Sequence, residues 1–72
     1  MDFIERMVGV RQDRDESQRT LAGLIGWNQV QIARYETGKN TPPISYLIDF
    51  CKHYGVSADY ILGLPKGLKW PR

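Results

Sequence analysis

Side chains able to do chemistry are sparse in this chain, and they fall into two groups. Cys51 and His53 are the only cysteine and histidine. They lie two residues apart in a stretch of helical periodicity, so they project from different faces and imply neither a nucleophile-base pair nor a metal site. The second group is Gln29, Val30, Gln31, Ala33 and Arg34. In the same short segment Ile32 and Tyr35 face inward, and the others are not all needed for packing. Such a surplus suggests a reading surface rather than a catalytic centre, and no enzyme, cofactor or small-molecule substrate is expected.

The elements that must hold this surface are two short helices hinged on a glycine, between Gln18 and Thr37. Ser17 is placed to cap the first, and Leu21, Ala22 and Ile25 recur on one face of it. Gly26 ends it, and Asn28 is placed to cap the second. Ahead of the pair, Asp2 caps a helix with Phe3, Met7 and Val10 on one face, running to about Arg14. Gly9 weakens that helix by about 1 kcal/mol relative to alanine, which close packing against a neighbour would explain. Asp13, Asp15 and Glu16 follow, unfavourable at the end of one helix and favourable just before the next.

Gly38 to Pro43 reads as a loop. Beyond it Ile44, Leu47, Ile48, Cys51 and Tyr54 recur at helical spacing as the apolar face of a fourth helix, and Phe50 also reads as core. Gly55 ends that helix, Ser57 caps a fifth with Asp59 in its first turn, and Tyr60, Ile61 and Leu62 supply its apolar contacts before Gly63. No segment alternates apolar and polar residues as a strand would. The expected class is all-α with five helices.

Seventy-two residues, 42% hydrophobic and 11% aromatic, suit one domain and are too apolar for a disordered chain. The helical unit is expected over residues 1–63, with an irregular tail over 64–72 in which Leu64, Leu68 and Trp70 are apolar enough to pack. No run approaches the roughly 20 apolar residues of a membrane span, and the opening Met1-Asp2-Phe3-Ile4-Glu5 lacks the pattern of a signal peptide. A cytoplasmic protein with Cys51 as a free thiol is the expectation. Net charge is +2, unevenly spread: Met1 to Glu16 holds three arginines and five acids, whereas Ser17 to Pro43 holds three basic residues and one acid. The hinged pair therefore sits in a modestly basic island.

Gln18, Ala22, Gly26 and Ile32 stand at the first, fifth, ninth and fifteenth places of that island's helical pair. Small Ala22 permits close approach of the two helices, Gly26 makes the turn and Ile32 fixes the crossing. With the flanking SQRTLAGLIG, ARYETGK and GVSADYILG, the chain from Met7 to Gly63 resembles the helix-turn-helix regulators of the phage repressor, Cro and XRE-like family. The resemblance implies a five-helix lambda-repressor-like domain with its helix-turn-helix at helices two and three. It also implies an ion pair between Arg11 of the first helix and Glu36 of the third. Three departures stand out: Glu16 where the family has an apolar residue, which removes a core contact; Pro43 where a capping serine is common; and Val30 where relatives are often polar.

In that docking mode the third helix enters the major groove and the second lies across the backbone. Gln29 then pairs with adenine, Val30 touches a thymine methyl and Arg34 grips guanine. Gln31 is divided between base contact and a capping box with Asn28. Gln18, Asn28, Thr37, Lys39 and Asn40 are the phosphate candidates. Trp27, in the turn, is expected in the core. The implied function is a sequence-specific regulator of double-stranded DNA, a repressor that binds a palindromic operator as a homodimer, with the fifth helix and tail as dimer contact. The alternative is an antitoxin or protein-interaction adaptor on the same fold.

Overall fold

Four of the five helices begin at a residue whose side chain caps them. The computed structural model describes residues 2–65, so Lys66, Leu68, Lys69, Trp70 and Arg72 lie outside the described residues. Asp2 accepts the Glu5 N–H at 2.9 Å and opens α1, Phe3–Asp13. Ser17 accepts the Thr20 N–H at 3.0 Å and opens α2, Gln18–Ile25. Asn28 opens α3, Gln29–Glu36; Pro43 precedes α4, Ile44–Tyr54, without a side-chain cap; Ser57 opens α5, Ala58–Leu62. The architecture is all-helical, with no strand among the described residues.

The turn between α2 and α3 depends on Gly26, whose φ of 74° lies in the left-handed region where a Cβ is penalised. Asp15, in the link from α1 to α2, holds φ 55°, a conformation that acidic and amide residues tolerate better than most. α1 packs on α3 and α5, α2 on α3 and α4, and α4 on α5. The core they enclose is Met7, Leu21, Ala22, Ile32, Tyr35, Tyr46, Phe50, Tyr54 and Ile61, with Phe3, Val10, Ile25, Trp27, Leu47, Cys51 and Val56 packed around it.

Four expectations from the sequence require correction. On α4 the buried stripe is Tyr46, Phe50 and Tyr54, whereas Ile44 is 70% and Ile48 47% exposed. Both registers fit helical spacing, and the aromatic one buries more surface. On α5 only Ile61 is buried, while Tyr60 and Leu62 are largely exposed, because a five-residue helix turns one narrow face inward. Gly9 answers no packing demand, since nothing lies within 4 Å of where its Cβ would stand. Lastly, Glu16 makes no apolar contact but is not left unpartnered. Its Oε1 accepts from His53 Nε2 at 2.9 Å and from the Tyr54 hydroxyl at 3.1 Å, so a polar contact to α4 replaces the apolar one.

Candidate nucleic-acid interface

The surface begins with how α3 is held. Asn28 Oδ1 accepts the Val30 N–H at 2.7 Å, and Gln31 Oε1 accepts the Asn28 N–H at 3.3 Å, a reciprocal capping box. The Gln31 amide oxygen is thereby committed to the helix start, and the Gln31 side chain remains on the exposed side. At the other end the Thr37 hydroxyl donates to the carbonyls of Ala33 at 3.0 Å and Arg34 at 3.3 Å.

Ile32 and Tyr35 anchor the inner face of α3; Ile32 has no exposed surface. Tyr35 lies 4.9 Å from Tyr46 between ring centroids, and Trp27 lies 5.2 Å from Tyr46. The Trp27 indole donates to Asp49 Oδ2 at 2.8 Å, which places it in the aromatic cluster rather than on the outer surface. Inside such a cluster a phenol loses its proton reluctantly: burial raises the pKa of both Tyr46 and Tyr54 well above the ordinary value.

Glu36 closes the inner side. Arg11 Nε and Nη2 donate to its two carboxylate oxygens at 2.7 and 2.8 Å, and Gln18 Nε2 adds a third bond at 2.9 Å. Both charged side chains are 11% exposed. Arg11 also donates from Nη1 to the Glu16 carbonyl at 2.7 Å. The Glu36 hydrogen bond raises the Arg11 pKa, so the guanidinium stays charged at any ordinary pH. The lone acid of the basic island is thus neutralised internally. The Gln18 amide nitrogen is committed to this network, which leaves the start of α2 its backbone N–H groups to present outward.

What remains exposed is a shallow groove lined by Gln29, Val30, Ala33, Arg34, Thr37 and Lys39. Five of the six are exposed, Val30 at 57%. Asn40 lies beyond the groove, its N–H bonded to the Arg34 carbonyl at 3.2 Å. Neither Gln29 nor Arg34 makes a side-chain hydrogen bond among the described residues. Sequence reasoning passed over Arg19, an exposed cation beside Gln18 on α2. The signal available was a basic residue in a helix that contains no acid. It also passed over the Gln18 bond to Glu36, which no spacing rule reveals across 18 residues.

Two short helices joined through a left-handed glycine, with one face of the second buried and the opposite face exposed, define a helix-turn-helix unit. The profile of the helix-turn-helix domain family matches residues 9–61, and the chain belongs to that family. No curated protein and no solved structure matches the chain. No helix among the described residues is long and apolar enough to cross a membrane.

Proposed function

We propose that this protein is a sequence-specific regulator of double-stranded DNA of the phage repressor, Cro and XRE-like kind, acting as a repressor at a palindromic operator. The observation that carries this reading is the groove on α3, whose residues with hydrogen-bonding capacity face outward while the acid nearest them is neutralised by Arg11. Gln29 and Arg34 have the donor and acceptor sets for adenine and guanine edges, and Val30 has the apolar surface for a thymine methyl. Gln31 reaches bases with whatever its capping bond leaves free. Lys39, Asn40, Thr37 and Asn28, with the backbone of Gln18, supply phosphate contacts on either side. Arg19 joins them.

One reading helix covers only a few base pairs, so a dimer spanning half-sites about 34 to 36 Å apart supplies the specificity a regulator needs. Exposed Tyr60, Leu62 and Leu64 offer apolar surface for such a contact at α5. Selection from randomised duplexes tests the reading: a palindromic consensus, bound with affinity that falls steeply with salt, is expected. Recovery of no preferred sequence, with salt-independent retention, favours the adaptor instead. Light scattering that reports only monomer on the selected duplex removes the dimer.

A further inference from the structure

Val30 is anomalous for a position two residues into a helix on a polar face. It contributes nothing to the core and leaves 57% of its surface exposed, yet its side chain has little conformational freedom to lose. A β-branched residue in a helix has essentially one χ1 rotamer, and the backbone N–H of Val30 is fixed by Asn28 at 2.7 Å. Ala33 adds a second methyl to the same groove, and Arg34 follows Val30 by four residues, on the same side of α3. The groove therefore has an apolar patch set beside a free guanidinium.

Resting on the DNA-binding reading above, we infer that α3 recognises the 5-methyl group of a pyrimidine, thymine or 5-methylcytosine, within two base pairs of a guanine held by Arg34. The spacing follows from helix geometry. Four residues advance about 6 Å along an α-helix, and successive bases on one strand are about 3.4 Å apart. Arg34 is the side chain of the groove with the bidentate fork that suits guanine O6 and N7. Val30 beside it meets the major-groove position where thymine differs from uracil, and methylated from unmodified cytosine, by one methyl. Binding at such a site responds to cytosine methylation as a gain.

The test uses the full chain and the duplex obtained by randomised selection. Four versions carry thymine, uracil, cytosine or 5-methylcytosine, each opposite its matching purine, at the thymine of the specified A·T pair nearest the Arg34 guanine, with dissociation measured at one fixed salt concentration. Thymine over uracil, and 5-methylcytosine over cytosine, are each expected to bind about fourfold tighter, the value of burying one methyl group. Each comparison changes only the methyl, so base-pair identity is constant within it. Val30→Ala is expected to remove both differences while Arg34→Ala removes the guanine preference, circular dichroism showing that each variant is folded. Equal binding of all four duplexes, a difference that survives Val30→Ala, or a consensus that specifies no A·T pair within two base pairs of that guanine overturns the inference and leaves DNA binding intact. Failure of the protein to select any duplex overturns the DNA reading itself.

Discussion

Arg11 illustrates why a buried charge is not the same as a stabilising one. It and Glu36 are each 11% exposed and doubly bonded, so removing one partner strands the other away from water. Arg11→Met is expected to cost about 3 kcal/mol in urea denaturation, and Arg11→Met combined with Glu36→Met to recover most of that loss. Glu16 behaves differently. The hydrogen bond from His53 holds its carboxyl below the ordinary value of 4.5, with the Tyr54 hydroxyl acting in the same direction. A depressed carboxylate contributes stability that is present above its unfolded-state value and lost as pH falls through its folded one. The stability gap between the parent protein and Glu16→Gln should therefore be full above pH 4.5 and close progressively below it, measured as denaturation midpoint against pH.

At the scale of elements, α4 shows how far periodicity reaches and where it stops. The helix was legible in the sequence with its ends, because Pro43 and Gly55 bracket it. Its rotation about its own axis was not: the face centred on Ile44 and Ile48 and the stripe of Tyr46, Phe50 and Tyr54 lie about a third of a turn apart, with Leu47 and Cys51 left partly buried at the edge of the core. Which face wins depends on what α2 and α5 present opposite, a non-local fact. Phe50→Ala is accordingly expected to cost about 4 kcal/mol, as a fully buried aromatic does, and Ile48→Ala less than about 1 kcal/mol; thermal unfolding of the two variants decides it. In α1, Gly9 has open space around it. Gly9→Ala should raise stability by about 0.5 to 1 kcal/mol, since it removes backbone freedom from the unfolded chain without meeting a neighbour. The helix-turn-helix itself was legible because its constraints are local: small Ala22, left-handed Gly26 and apolar Ile32 at fixed offsets. Its polar bracing by Gln18 and Glu16 was not, because those partners come from other elements.

For the whole molecule, net charge of +2 is a weak attractor, so its distribution matters more than its sum. With Glu36 committed to Arg11, the outward charge around α2 and α3 is carried by Arg19, Arg34 and Lys39. Two of these should separate by readout on a selected duplex. Arg34→Ala is expected to relax preference at one base pair, worth about 1 to 3 kcal/mol. Lys39→Ala should weaken all sequences alike and reduce the slope of log affinity against log salt by about 1. Titration of both variants on matched and mismatched duplexes distinguishes the two patterns.

The carboxylate of Glu36 stands at the last residue of α3 and is gripped from α1 by Arg11 and from the first residue of α2 by Gln18. On the proposed DNA that joint acts as a caliper: the jaw that rests on the phosphates and the jaw that probes the bases are locked at one opening. Under that proposed docking, a protein built this way would measure the local width of a groove as well as its letters. Gln18→Ala, which loosens the caliper without touching the reading residues, should then blunt discrimination between duplexes of equal sequence in the contacted bases but different groove width.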